Sequence, residues 1–266
     1  MLELNKIYCG NCLKIMKEIN NKSIDLIITS PPYDNIRDYK GFSINLLSIG
    51  EEIARILKDG GICAMVIQDQ TKNFRKSLTS FKTIVNWCEN TEMDLFECCI
   101  YHRRATPGNW WTKRFSVDHE YIPIFLKGKK PQYFNKEHMK IMPKKSGVQK
   151  GGGSRKTDGS LSQGFTSTGK SMCCGTVINY NSSSREKPED WAIKKQHPAT
   201  FPDKLATDFI RCFCPENGIV LDPMCGSGTT CKMAKINNRK FIGIDISEEY
   251  CKIAEKRLHD EKSLWD

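Results

Sequence analysis

Three observations predict an α/β chain wound on both sides of a mostly parallel sheet. Apolar runs of strand length alternate with segments of helical spacing. Several of these runs, such as Ile24-Asp25-Leu26-Ile27-Ile28, are too continuously apolar for a sheet with one wet face. Two of them stop abruptly, one at Pro31-Pro32 and one at a Gly226-x-Gly228 turn, and ligands bind beyond the carboxyl ends of strands in such folds.

The elements follow in order. Ser23 to Ser30 reads as a buried strand stopped by two prolines. Phe42 to Leu57 has helical spacing (Ile44, Leu47, Ile53, Ile56) and closes at Asp59-Gly60-Gly61. Gly61 to Gln68 is a second buried strand, Phe74 to Glu89 a helix, Leu95 to Tyr101 and His119 to Leu126 two more strands. Order returns with a helix over Phe201 to Phe213, a strand over Gly218 to Asp222, a helix over Thr229 to Asn237, a strand over Lys240 to Asp245 and a helix over Glu248 to Leu258.

Between the two ordered blocks, residues 128–196 are rich in Gly, Ser and Lys, with Gly151-Gly152-Gly153 near the middle and no sustained apolar period. Such a segment cannot supply the core of a parallel sheet and reads as an insert. The expected organisation is therefore 1–127, the insert 128–196, and 197–266 completing the first part.

A length of 266 residues suits one large domain or a medium domain with an insert. With 39% hydrophobic and 27% charged residues the composition is globular rather than disordered. No apolar run approaches the roughly 20 residues of a membrane-spanning helix, and no basic segment leads into an apolar stretch at the start, so a cytoplasmic protein with no membrane partner is expected. The 13 cysteines then read as reduced thiols. Cys9-x-x-Cys12 has zinc-like spacing but no second half, so no metal is expected.

The net charge of +10 is concentrated. From Lys127 to Lys156 there are ten basic residues and one acid, which suits a polyanion whose condensed counterions are released on contact.

Asp222-Pro223-Met224-Cys225-Gly226-Ser227-Gly228-Thr229-Thr230 leaves a strand and opens a helix. Its glycines let main chain approach a ligand, and N–H groups at the helix start favour negative charge. It is not a dinucleotide fingerprint, since Cys231 stands where a third glycine would, and no Lys-Ser or Lys-Thr makes it a phosphate loop. What fits is an adenosine-type ligand carrying both a carboxylate and a cation, as S-adenosyl-L-methionine does. Asp222 suits the cationic methionyl end. Asp245, 23 residues on and followed by Ile246, can accept from ribose hydroxyls.

In Ser30-Pro31-Pro32-Tyr33 the prolines fix φ near −65° and remove two N–H donors, leaving carbonyls as acceptors. An exocyclic amine has its lone pair delocalised into the base. It becomes a nucleophile when acceptors hold its hydrogens and turn that pair outward. Ser30 Oγ and the Pro31 carbonyl suit that task, and Tyr33 suits stacking on a base swung out of a duplex.

The two motifs in this order resemble the β class of DNA amino-methyltransferases, which methylate exocyclic nitrogens of adenine or cytosine. The resemblance implies their S-adenosylmethionine-dependent methyltransferase fold, double-stranded DNA with a flipped base as substrate, and the insert 128–196 as target-recognition region. It further implies a cofactor contact at Asn11, in a segment where the family usually carries an acid, and another at Thr200-Phe201-Pro202, against the methionine end. Ser30 and the Phe201-Pro202 pair lean to the cytosine-N4 branch, with adenine-N6 as the alternative. A partner restriction endonuclease is a further implication, and a catalytically idle DNA-binding protein is the alternative of another class. Lys127, Lys129, Lys130, Lys144, Lys145, Arg155 and Lys156 are the expected phosphate contacts.

Overall fold

The protein is described as a computed structural model covering residues 2–32, 45–103, 113, 115–139, 149–167, 174–180 and 200–260. The chain divides into two compact units, 1–135 with 176–266, and 136–175.

The larger unit is built on an eight-stranded sheet. Its strands are β1 (Lys6–Cys9), β2 (Ile24–Thr29), β3 (Leu57–Met65), β6 (Met93–His102), β7 (His119–Lys127), β10 (Val177–Asn179), β11 (Ile219–Asp222) and β12 (Lys240–Asp245). They lie in the order β1-β12-β11-β2-β3-β7-β6-β10. Only β7 runs against the others, pairing antiparallel with β3 and β6. The expected α/β fold with a mostly parallel sheet is what the chain adopts.

All six residues of β2 are buried, as a strand covered on both faces must be. Its one acid, Asp25, is satisfied at the floor of the sheet, where Lys58 Nζ lies 2.7 Å from Oδ1 and the Ile219 N–H donates to Oδ2 at 2.8 Å. The helices are α1 (Cys12–Met16), α2 (Leu46–Ile56), α3 (Thr79–Asn90), α4 (Asp203–Phe213), α5 (Thr229–Ile236) and α6 (Glu248–Asp260). Contacts link α1 to α2 and α2 to α3, and separately α4 to α5 and α5 to α6. Asn45 caps α2 by accepting from the N–H groups of Leu47 and Ser48 at 3.1 and 3.2 Å. Trp87 of α3 is fully buried beside it, donating its indole N–H to the Leu46 carbonyl at 2.8 Å.

Two element starts differ clearly from the sequence expectation. The strand expected from Gly61 begins at Leu57, directly off the end of α2. The helix expected from Phe74 begins at Thr79. Before it, β4 (Thr71–Lys72) and β5 (Arg75–Lys76) form a hairpin whose two-residue turn, Asn73-Phe74, has φ of 49° and 61°. Positive φ at both central residues matches the twist of a hairpin and excludes a helix. β1 and α1 were not expected at all.

In its described part the smaller unit holds a 3-10 turn over Glu137–Met139 and a long hairpin. β8 (Gln149–Gly151) pairs antiparallel with β9 (Phe165–Ser167), and Arg155 bridges Leu161. Its tip turns at Lys156–Gly159, where Asp158 accepts from the N–H and hydroxyl of Ser160 at 2.9 and 2.7 Å. The unit is narrower than the Gly/Ser/Lys-rich range 128–196. Gln132 N donates to Gly60 O and Asn135 N to Cys212 O, tying 128–135 to the larger unit, and β10 joins its sheet.

Candidate active site

The Ser30-Pro31-Pro32 turn and the Asp222–Thr230 loop come together because β2 and β11 are neighbours. Val220 and Leu221 pair with Leu26 and Ile27, so Ser30-Pro31-Pro32 and Asp222-Pro223 leave the same edge of the sheet on adjacent strands. A side chain joins them directly, since Thr230 Oγ1 donates to the Ile28 carbonyl at 3.3 Å. The Thr29 carbonyl accepts from Val66 N at 2.8 Å, fixing the strand just before the prolines. Pro31 is buried, and Ser30 and Pro32 are half-buried. Tyr33 lies outside the described residues.

Asp222 is 2% exposed, and burial pushes its carboxyl up to about 7. The Thr230 hydroxyl, the Met224 N–H at 3.1 Å and the Thr29 hydroxyl oppose that rise. A cation arriving at this acid would therefore meet a carboxylate already short of solvent. Asp245 ends β12, the next strand, and is also raised by burial. Its Oδ2 accepts from Gly226 N at 2.8 Å and its Oδ1 from Ser247 N at 2.9 Å. The acid thus holds the glycine loop in place and keeps one lone pair on each oxygen for a diol. Beside it Ile246 is 42% exposed, a large apolar side chain at the rim.

The two glycines act differently. Gly226 has φ of 50° and Gly228 φ of 76°, the left-handed region that side chains resist. A Cβ at Gly228 would also sit 2.8 Å from that of Ala254, so this glycine lets α6 press against the loop. Ser227 and Thr229 are 2% and 4% exposed, and both hydroxyls are engaged by Arg257. Their hydroxyls are thus held on the side of the loop that faces α6.

Thr200 is exposed, while Phe201 and Pro202 are buried at the start of α4. Residues 197–199 lie outside the described set. Asn11 caps α1, its Oδ1 accepting from Lys14 N at 3.3 Å. An N-cap accepts Asn as readily as Asp, which accounts for the missing acid. The adjacent Gly10 N donates to Asp245 O at 2.8 Å, so Asn11 stands at the same end of the sheet as Asp222 and Asp245.

One expected phosphate contact is overturned. Lys127 is 4% exposed and donates to the Ala54 carbonyl at 2.5 Å, with Glu92 3.6 Å away. Ending β7 against α2, it is structural. Lys129 and Lys130 are exposed on the larger unit, and Arg155 and Lys156 are exposed near the hairpin tip of the smaller one. Lys144 and Lys145 lie outside the described residues. Among those described, no cluster of three or more His, Cys, Asp or Glu could hold a metal, and no helix is long and apolar enough to cross a membrane.

Arg257 went unread in the sequence because Lys256-Arg257 looks like an ordinary basic end to a helix. The spacing carried a signal: Cys251, Ala254 and Leu258 mark the apolar face of α6, and residue 257 falls on it.

An adenosine ligand with a cationic sulfur suits this edge. Two acids end adjacent strands, a tight turn opens a helix, and an exposed apolar side chain, Ile246, follows Asp245. The comparisons point the same way. The chain is 35% identical over 259 residues to the orphan methyltransferase M.BamHII of Bacillus amyloliquefaciens, covering 91% of this chain and 92% of the relative. It is 28% identical to the type II methyltransferase M.HpaI of Haemophilus parainfluenzae, over 98% of this chain and 76% of that one. Its fold matches the cytosine-N4-specific PvuII DNA methyltransferase with a TM-score of 0.73 at 19% identity, covering 94% and 85% of the two chains. It also matches a putative DNA modification methylase from Thermus thermophilus, solved with S-adenosyl-L-methionine, with a TM-score of 0.61 at 22% identity, covering 96% and 93%. The DNA methylase family profile matches residues 24–256, so the chain belongs to that family, whose methyl donor is S-adenosyl-L-methionine.

Proposed function

We propose that this DNA methyltransferase acts on the exocyclic N4 amine of a cytosine flipped out of double-stranded DNA, within a restriction-modification setting. The observation that carries the reading is the adjacency of β2 and β11, which puts an acceptor-rich Ser-Pro-Pro turn beside the cofactor loop. A type II methyltransferase among the relatives supports the setting, and the fold shared with the cytosine-N4-specific PvuII enzyme favours the N4 branch.

S-adenosyl-L-methionine supplies an electrophilic methyl on a sulfonium. Asp222 holds the positive end of the methionyl portion, and Asp245 accepts from the ribose, with Ile246 and Asn11 beside the adenine. Thr200, Phe201 and Pro202 line the methionine end. Ser30 Oγ and the Pro31 carbonyl accept the two amine hydrogens and so aim the nitrogen lone pair at the methyl. Tyr33 stacks on the base and holds its plane. Direct displacement needs no covalent enzyme intermediate, so orientation supplies most of the rate. Segment 128–196 contacts the target duplex, and its basic residues hold phosphates.

Ser30 in place of an acid is what favours cytosine over adenine. The test is to incubate the protein with the cofactor and unmodified genomic DNA, digest to nucleosides and identify the product by mass. N4-methyl-2′-deoxycytidine is expected. N6-methyl-2′-deoxyadenosine would overturn the base assignment while leaving the methyltransferase intact, and no methylated deoxynucleoside would favour the idle DNA-binding alternative.

A further inference from the structure

A buried arginine links the loop at Ser227–Thr229 to the start of α4. Arg257, in the last turns of α6, is 1% exposed. Its Nη1 donates to three oxygens of the loop: Ser227 O at 2.6 Å, Ser227 Oγ at 3.2 Å and Thr229 Oγ1 at 3.1 Å. Its Nη2 lies 3.6 Å from Asp203 Oδ1, at the first residue of α4. The other oxygen of Asp203 is 3.8 Å from Nζ of Lys232, a 4%-exposed residue of α5. One planar group thus spans the turn at Gly226–Thr229 and the segment Thr200-Phe201-Pro202 that immediately precedes Asp203.

Burying a guanidinium is costly, and an apolar side chain of similar volume often leaves a protein equally stable. What an apolar side chain cannot do is fix the distance between two separate pieces of main chain. An arginine fork does this because its donors are rigidly disposed, whereas a lysine offers a single nitrogen. The close seat of α6 on the loop, where only glycine fits at 228 against Ala254, brings the fork within reach.

We infer that Arg257 is a positioning residue for the cofactor, setting the loop at Ser227–Thr229 against the start of α4 so that the methionine end finds both walls at the right separation. The inference rests on the reading of that loop as the cofactor site. Arg257 touches neither the base nor the methyl, so its loss acts on cofactor affinity rather than on the chemical step.

The experiment measures S-adenosylhomocysteine binding by calorimetry, and cofactor KM and kcat, for the full chain and for Arg257→Met, Arg257→Lys and Asp222→Ala. The methionine variant is expected to melt within a few degrees of the parent and to bind at least tenfold more weakly. Its KM should rise in proportion and its kcat at saturating cofactor should change less than threefold. The lysine variant, able to reach the loop or Asp203 but not both, should recover part of the affinity; should the methionine variant fail to fold, the same split is read on the lysine variant. Parent-like affinity in a folded Arg257 variant, with binding lost in Asp222→Ala, overturns the inference and leaves the loop reading standing. Parent-like affinity in Asp222→Ala removes the loop reading and the inference with it. A fall in kcat without a change in KM also overturns it.

Discussion

At the scale of single residues, the two acids that end β11 and β12 both have carboxyls raised by burial. For Asp222 burial pushes the carboxyl up to about 7, against an ordinary value of 3.8. A raised acid favours the folded state while protonated, so its contribution is complete below about pH 4 and is lost as pH rises through 7. Asp222→Asn should remove that slope from the pH dependence of melting, by no more than about 4 kcal/mol. A cation beside the carboxyl acts oppositely and drives the proton off. Cofactor binding near neutral pH should therefore release a fraction of a proton, and affinity should climb between about pH 6 and 8. Calorimetry in two buffers of different ionisation enthalpy reads this directly, and identical heats would remove the charge role of Asp222. Tyr33→Ala should lower turnover on DNA by about 100-fold or more while cofactor affinity stays within a few-fold, because stacking acts on the base; equal losses in both would count against stacking.

At the scale of elements, legibility followed burial. β2, β3, β11 and β12 were readable because each is a nearly continuous buried run, and the Pro-Pro and Gly-x-Gly turns marked where β2 and β11 stop. β1 escaped because it is an edge strand of four residues with only Ile7 buried, and α1 because five residues give no periodicity. The β4–β5 hairpin was hidden by Phe74, which looks like the first apolar residue of a helix and is instead a 59%-exposed turn residue. Nothing in the composition of His119–Lys127 revealed that β7 runs backwards; orientation is decided by which neighbours complete the sheet. The same logic explains Lys127, whose charge suggested a phosphate and whose position ends a buried strand. The α2–α3 contact offers a test of packing over propensity. A Cβ at Gly50 would lie 2.6 Å from the fully buried Trp87 ring. Alanine is the better helix former by about 1 kcal/mol, yet Gly50→Ala should destabilise by about 1–3 kcal/mol, measured by urea unfolding.

At the scale of the whole molecule, charge is distributed unevenly and the consequences are measurable. If the basic residues of 129–156 meet phosphates, the logarithm of the DNA-binding constant should fall with the logarithm of salt at a slope of about −4 or steeper. Arg155→Ala and Lys156→Ala should each reduce that slope by about one. Lys127→Met should leave it unchanged while altering the melting temperature, since that amine is buried. A slope flatter than about −2 would detach the basic window from DNA. The adjacency of β2 and β11 has a kinetic side as well. Ile27 and Leu221 are paired neighbours although 194 positions separate them along the chain. Contacts between such distant residues form slowly, because a long stretch must be closed before it is rewarded. During synthesis the proline turn emerges long before its partner strand, and the arginine at 257 emerges later still. A nascent chain that has not yet exposed residue 257 therefore lacks both the partner strand's loop and the helix behind it, and methyl transfer waits for them.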